Sequence, residues 1–302
     1  MIKLIMKNEG LIIKATGGFY YVKCGGIVYE CRPRGIFRKE GISPLVGDMA
    51  QITVDGETGT VEKILPRKNE LSRPPLANLD RLVIAASTIQ PPPDIRSIDK
   101  LATIAERNGI EPVVVFTKTD LCDAAPLLLL YRGVGFLAYA VSSVTGEGVG
   151  ELSALLQTGT SAFTGNSGVG KSSLLNRIAP RLSLEVGGIS RKLGRGRQTT
   201  RTVELFEVGG GFIADTPGFS SIDIERTQII LKEELQFYFR DFAPYINKCR
   251  YTGCLHIKGD GCAVLAAVQA GLIAQSRHDS YRAMYDEVKD IKEWELKKPE
   301  GR

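Results

Sequence analysis

Long hydrophobic runs are what this sequence most plainly lacks. Apolar runs such as residues 82–86 and 127–130 fall far short of the roughly 18 apolar residues that a membrane-spanning helix needs, so we expect no membrane segment. The lysine-bearing first ten residues lead into an apolar stretch that breaks at Gly17 and Gly18 without a small-residue cleavage site, unlike a secretory signal. We therefore expect a cytoplasmic protein.

Cysteine and net charge are also modest. The six cysteines do not form a disulfide framework, because three crowd near the C-terminus and the others are scattered. A net charge of +5 allows a nucleic-acid partner without requiring one. At 302 residues the chain is longer than the ~250 at which a single core usually stops growing, so two or three domains are expected.

The strongest motif present is a phosphate-binding loop. Residues 165–172 read GNSGVGKS, which fits G-x-x-x-x-G-K-[ST], with a predicted strand at 160–164 before it and a helix at 172–178 after it. Such a loop turns backbone N–H groups around a polyphosphate at a helix N-terminus. Lys171 is expected to reach the β- and γ-phosphates, and Ser172 to bind Mg²⁺. The predicted phosphate-site residues are Gly165, Asn166, Ser167, Gly168, Val169, Gly170, Lys171, Ser172 and Ser173.

Two loops upstream are predicted to read the base. Strands alternate with helices from about residue 81, as in a parallel α/β sheet, where ligands bind at the carboxyl ends of the strands. The motif Thr117, Lys118, Thr119, Asp120 follows one strand, and its Asp can accept two hydrogen bonds from guanine. Ser142 and Ser143 follow the next strand and are expected to close over the other edge of guanine. Alone, the four-residue motif would favour an acidic N-cap of a helix starting near Leu121, and the neighbouring phosphate loop is what favours base recognition.

The segment after the phosphate loop contains the predicted switch residues. Thr199 or Thr200 is expected to complete Mg²⁺ coordination in a Gly- and Arg-rich loop spanning 187–201, whose basic residues could contact RNA, face phosphate or merely be solvated. Asp215 would hold Mg²⁺ through water, and the Gly218 N–H would sense the γ-phosphate. Because the base-reading loops precede the phosphate loop, the order of elements is circularly permuted relative to an ordinary small GTPase.

The two ends of the chain predict further domains. Five short β-type runs in residues 1–67 predict an OB-fold β-barrel, with clustered arginines and tyrosines that suit RNA or simply fill and solvate the barrel. Residues 66–77 are predicted to be a linker, and 68–223 the GTPase domain. In the helical domain 224–302, Cys249, Cys254, His256 and Cys262 predict a closed, structural zinc site, the alternative being a chance cluster of thiols. Helices are expected at 228–242, 263–275 and 280–294.

These motifs together resemble the RsgA/YjeQ family of bacterial GTPases that depend on the small ribosomal subunit. The resemblance covers nearly the whole chain and includes Arg73-Pro74-Pro75 and Asp215 to Phe219. It implies an OB domain, a circularly permuted GTPase domain and a zinc domain that act late in small-subunit maturation, with rRNA as partner and hydrolysis stimulated by the ribosome.

Three positions qualify the resemblance. Thr117 stands where most GTPases have Asn, so one hydrogen bond to the loop or base is expected to weaken. Gln198 stands where the family often has His, and its amide could orient the attacking water. Phe219 cannot position that water, so intrinsic turnover should be slow and stimulation by the subunit large.

The leading prediction is therefore a monomeric GTP hydrolase with Mg²⁺ bound beside GTP and one structural zinc ion. Two alternatives stay open. A zinc-containing RNA-binding module with a nearly inert nucleotide switch is favoured somewhat by Phe219, and an ATPase is left open by Thr117.

Overall fold

The N-terminal part of the protein is a five-stranded barrel. The computed structural model describes residues 6–180, 203–215 and 228–293. Its first elements are β1 Met6–Thr16, β2 Phe19–Cys24, β3 Ile27–Pro33, the short helix α1 Ile36–Glu40, β4 Met49–Asp55 and β5 Thr58–Ile64. The barrel closes because β1 pairs with both β2 and β4, while β3 pairs with β5 in parallel. Fully buried Ile12, Val22 and Ile52 fill its interior, so the predicted barrel is confirmed.

The segment predicted as a linker contains a small hairpin. Strands β6, Glu70–Ser72, and β7, Pro75–Ala77, pair in antiparallel fashion. Asp48, which is fully buried in the barrel, accepts hydrogen bonds from Arg67 Nε at 2.7 Å and Arg67 Nη2 at 2.8 Å. A charged pair therefore fixes the start of this segment to the barrel.

The central part is a mostly parallel sheet flanked by helices. Its elements are β8 Arg81–Ser87, α2 Ile95–Arg107, β9 Glu111–Thr117, α3 Ala125–Gly133, β10 Leu137–Val141, α4 Val149–Leu156, β11 Thr160–Thr164, α5 Lys171–Ile178, β12 Glu204–Val208 and β13 Gly211–Asp215. The strand order is β10-β9-β8-β11-β13-β12, with only β12 antiparallel to its neighbour. Runs such as Val113–Phe116 are wholly buried because helices cover both faces.

The strand order reverses between β8 and β11. From β8 the chain moves outward through β9 to β10, and it then returns to place β11 on the other side of β8. Ligands in open α/β sheets bind in the crevice that forms at such a reversal, beyond the carboxyl ends of the strands. The fold therefore brings the loops after β8, β9, β10 and β11 to one edge.

The barrel continues this sheet. Strand β1 pairs with β12 through Lys14 and Glu204, whose side chains form a salt bridge of 2.7 Å, so eleven strands form one hydrogen-bonded sheet. The barrel is thus attached to the strand beside β13 as well as through the hairpin segment.

The C-terminal part is helical but less regular than predicted. It contains two 3-10 turns, Leu235–Tyr238 and Arg240–Phe242, and the helices α6 Ala263–Gln269 and α7 Gln275–Val288. The helix predicted over 228–242 is wrong: Phe239 is extended, with φ −101° and ψ 100°. Its ring packs edge-on against Tyr281 while neighbouring Arg240 binds Glu111, and these tertiary contacts override the local helical pattern.

The lengths and compositions of the helices bear on membrane insertion. Within 6–180, 203–215 and 228–293, none of them is both long and apolar enough to cross a bilayer.

Candidate functional site

The phosphate loop lies at the strand reversal, between β11 and α5. Gly165, Gly168 and Gly170 have positive φ angles of 139°, 80° and 95°. A Cβ atom on Gly165 would lie 2.2 Å from the carbonyl oxygen of Ala85, so glycine is required where the loop passes the end of β8. The predicted strand-loop-helix arrangement is therefore present.

Lys171 is already folded over this loop. Its ammonium donates hydrogen bonds to the carbonyl oxygens of Gly165 at 2.6 Å and Asn166 at 2.8 Å. Burial lowers the pKa of Lys171, since the charged form loses contact with water. A partly desolvated cation beside inward-turning backbone is an arrangement that suits a polyphosphate anion.

The loop after β9 is fastened to the phosphate loop. The hydroxyl of Thr117, which is buried, donates a hydrogen bond to the carbonyl oxygen of Val169. The ammonium of Lys118 donates to Gly168 O at 2.8 Å and also to Gln90 O. With Thr in place of Asn, one hydrogen bond to the loop or the base was expected to weaken. The Thr117 hydroxyl nevertheless makes a hydrogen bond to the phosphate loop.

The loops after β9 and β10 meet at Asp120. The Ser142 hydroxyl donates to Asp120 Oδ1 at 2.6 Å and accepts from the backbone N–H groups of Val144 and Thr145. Asp120 is exposed, and the Ser143 N–H makes no hydrogen bond within the described part of the chain. The Asp120 carboxylate is therefore available to a base as an acceptor, and the Ser143 N–H as a donor.

Several predicted site residues lie outside the described residues. They are Gln198, Thr199, Thr200 and Gly218, together with the basic loop 187–201. Asp215 is the last residue of β13, the neighbour of β11, and its side chain is likewise not described. Their roles stay predictions.

A second cluster, in the C-terminal part, fits a metal ion. Ligand atoms of Cys249, Cys254, His256 and Cys262 all lie within 4.8 Å of one another. His256 Nδ1 is 3.5 Å from Cys249 Sγ and 3.4 Å from Cys262 Sγ. Burial lowers the pKa of His256, which keeps the imidazole in the neutral form that binds metals. Burial and the neighbouring thiols raise the pKa of Cys262 to about 11, and a bound cation would favour its thiolate.

The motif patterns missed one residue at this cluster. Gln236, in the first 3-10 turn, lies with its Oε1 2.9 Å from His256 Nε2 and donates its own amide to Glu233 O. Because Oε1 can only accept, Nε2 carries the proton and Nδ1 faces the thiols. No spacing rule links a glutamine to a ligand twenty positions away.

The motif patterns also missed a buried charge cluster between α2 and α7. Arg277, 1% exposed, binds Asp99 Oδ1 at 2.6 Å and Asp241 Oδ1 at 3.0 Å, and the Tyr131 hydroxyl donates to Asp99 at 3.0 Å. Burial raises the pKa of Asp99, while Arg277 opposes that rise. The sequence feature that could have revealed this cluster is Asp99, a charged residue in the middle of the apolar face of α2.

Comparison with known proteins agrees with this geometry. The profile of the RsgA GTPase family matches residues 64–225, and that of the RsgA N-terminal domain matches residues 9–61. The chain is 44% identical over 287 residues to the small ribosomal subunit biogenesis GTPase RsgA of Caldanaerobacter subterraneus, covering 93% of this chain and 96% of that protein. It is 43% identical over 291 residues to the protein of the same name from Geobacillus thermodenitrificans, covering 94% and 98%.

Two solved structures share the fold. YloQ, described as a circularly permuted GTPase, superposes with a TM-score of 0.80 at 37% identity, covering 97% of this chain and 98% of that one. YjeQ from Thermotoga maritima gives a TM-score of 0.82 at 33% identity, covering 95% and 100%. The loops after β9 and β10 precede the phosphate loop along the chain, and the chain belongs to the RsgA family of circularly permuted GTPases.

Proposed function

We propose that this protein hydrolyses GTP on the small ribosomal subunit, assists late maturation of that subunit, and is stimulated by it. The names of the curated relatives support the ribosomal role. The observation that carries the nucleotide assignment is the pair of bonds from Thr117 and Lys118 to the phosphate loop, which join base-reading and phosphate-binding segments into one site. The RNA-binding module with an inert switch is not favoured.

The roles within this site follow the chemistry of each group. Gly165–Ser173 would bind the phosphates, with Lys171 on the β- and γ-phosphates. Thr117–Asp120 would hold the base with Ser142 and Ser143, Asp120 accepting from its N1–H and amino group. Gln198 would orient the attacking water, and Gly218 would contact the γ-phosphate.

Mg²⁺ is the cofactor that this donor set implies beside GTP. Ser172, Asp215 and either Thr199 or Thr200 would hold it, since hydroxyl and carboxylate oxygens are the ligands it prefers. The ion supplies positive charge where negative charge develops on the transferred phosphoryl group.

The flanking parts are proposed to contact rRNA. The barrel, residues 1–67, and the C-terminal region, residues 224–302, flank the GTPase domain, residues 68–223. Three thiols and one imidazole suit tetrahedral Zn²⁺, and a closed set of four leaves no position for catalysis, so the ion would be structural. We propose that the protein works as a monomer in the cytoplasm, where that subunit is assembled.

Single-turnover GTP hydrolysis with and without purified small subunits tests this function. We expect slow turnover alone and a stimulation approaching the ~10³ to 10⁵ that groups acting in trans supply elsewhere. A rate unchanged by saturating subunits would defeat the proposal and leave a binding module. Asp120→Asn should abolish the preference for GTP over ATP, whereas equal competition by both nucleotides against the unmodified protein would indicate an ATPase.

A further inference from the structure

Arg177 links the helix that follows the phosphate loop to the loop that faces the base. It lies in the last turn of α5, and its guanidinium donates to Ser143 O at 3.1 Å and to Thr145 O at 3.5 Å. Gly146, with φ 91°, adjoins the same group: a Cβ there would lie 2.5 Å from Arg177 Nη2. The guanidinium therefore packs against the backbone of Gly146. Any side chain at residue 146 would displace the guanidinium.

The loop after β10, residues 142–147, makes hydrogen bonds on two sides. On the inner side, Ser142 Oγ accepts from the N–H groups of Val144 and Thr145 and is itself bonded to Asp120. On the outer side, the carbonyl groups of Ser143 and Thr145 face Arg177. Among the backbone N–H groups of residues 142–147, all of which the structure describes, that of Ser143 makes no hydrogen bond.

We propose that Arg177 is a positioning residue for base recognition. By holding the carbonyl group of Ser143, it fixes the backbone of the residue whose N–H would donate to O6 of guanine. It also ties that loop to α5, so the phosphate-binding helix and the base-reading loop move as one unit. This inference rests on the nucleotide site proposed above and adds a residue that none of the motifs contains.

A simpler role is available for a cation at this place. An arginine in the last turn of a helix stabilises the helix through its dipole, without any effect on the base. Arg177→Lys separates the two roles, because lysine keeps the charge at the helix end but cannot hold two carbonyl oxygens with one planar fork. Arg177→Ala removes both.

The test is a comparison of three nucleotides by equilibrium binding. GDP, inosine diphosphate, which lacks the 2-amino group, and 6-thioguanosine diphosphate, whose sulfur is a poor acceptor, separate the two edges of the base. Arg177→Ala should weaken GDP binding about tenfold, as expected for loss of a charged hydrogen bond. It should shrink the preference for GDP over the 6-thio analogue while leaving the preference over inosine diphosphate, which Asp120 sets. Arg177→Lys should fall between.

Arg81→Ala is the matched control. Arg81 also donates to backbone, at Thr158 O, but it lies at the opposite end of β8 from the site. It should change none of the three affinities. An Arg177→Ala protein that loses affinity equally for all three nucleotides would overturn the inference and leave only the helix-end role. If the unmodified protein did not prefer GDP over ADP, the nucleotide site itself would be wrong.

Discussion

Thr117 shows how a different side chain can serve the same position. In most GTPases an asparagine amide begins this motif, and here a hydroxyl on a β-branched residue reaches the carbonyl oxygen of Val169. Thr117 can do so because it is the last residue of β9 and is 1% exposed, so its rotamer is fixed by packing. Together with the bond from Lys118 to Gly168 O, this bond joins the loop after β9 to the phosphate loop.

Removing this hydroxyl should weaken nucleotide binding without unfolding the protein. Thr117→Val keeps the shape but leaves the Val169 carbonyl unsatisfied, at a cost of about 1–3 kcal/mol. We expect the affinity for fluorescent GDP to fall about tenfold, mainly through faster dissociation. Thr117→Ser keeps the donor and should bind within a few-fold of the unmodified protein. A valine variant that matches the unmodified protein would show that the bond does not support the site.

At the residue scale, the sequence could predict what spacing encodes. The phosphate loop, the Thr117–Asp120 motif and the four Cys and His residues are local patterns. The structure places the first between β11 and α5 and the second at the end of β9, and it brings the ligand atoms of the four Cys and His residues within 4.8 Å of one another. Arg177, Gln236 and Arg277 were not predictable in this way, because their partners lie far away in the chain. The structure was needed to show which distant residues each of them contacts.

At the scale of elements, the first 3-10 turn of the C-terminal part supports the four residues that could hold a metal ion. Its residue Gln236 forms a hydrogen bond with His256, and its residue Leu235 is buried. Metal-binding histidines commonly donate their second N–H to such a partner, which fixes the ring orientation. The irregular segment found in place of the predicted helix therefore positions Gln236 against His256.

Replacing this partner should loosen the metal. Gln236→Leu keeps the volume but removes the acceptor, and outer partners of this kind are worth about 10–100-fold in metal affinity. Competition with a chromophoric chelator would measure the change for Zn²⁺. Gln269→Leu, at an exposed position of α6, is the control. Full removal of the metal should raise hydrogen exchange in α6 first, since Cys262 is the N-cap of that helix and accepts a hydrogen bond from the Leu265 N–H. Unchanged affinity in the first variant would contradict the assigned role.

Elements were predictable where burial and local pattern agree. The buried strands β8 and β9 have continuous apolar runs, and β11 spans the predicted residues 160–164. The 228–242 segment failed because Phe239 and Arg240, adjacent in sequence, satisfy partners in different parts of the fold. Such a competition between tertiary contacts leaves no local signature.

At the scale of the whole molecule, both flanking parts are attached to elements that lead to the nucleotide site. The barrel pairs with β12 through Lys14 and Glu204. The C-terminal part packs on α2, whose first turn lines a small cavity shared with Gly165 and Asn166 of the phosphate loop. Both flanking parts are therefore joined to the central sheet and its helices by strand pairing or helix packing.

The attachment to α2 combines a buried and an exposed set of ion pairs. In the buried set, Arg277 joins Asp99 and Asp241, and its guanidinium also lies 4.7 Å from the ring centre of Phe239. In the exposed set, Glu287 pairs with Arg96 at 2.8 Å and Lys100 at 2.6 Å. The two sets lie on the same interface and differ in their access to water, so they form a natural comparison.

Breaking the buried set should open this interface, and the effect should depend on pH. Arg277→Met strands two carboxylates and should cost about 3–5 kcal/mol, read as faster hydrogen exchange in α7. Glu287→Ala should cost only about 0–1 kcal/mol. Burial already raises the pKa of Asp99, and loss of Arg277 removes the cation that lowers it. The folded variant therefore binds a proton more tightly than the unfolded chain, so its stability rises as the pH falls.

The penalty in Arg277→Met should accordingly be largest near neutral pH and shrink as the pH is lowered through the raised pKa of Asp99. Adding Asp99→Leu and Asp241→Leu to Arg277→Met should recover much of the lost protection, because well-packed apolar groups often replace a buried ion cluster at no cost. A loss in Arg277→Met no greater than in Glu287→Ala, or independent of pH, would mean that packing alone holds the C-terminal part on α2.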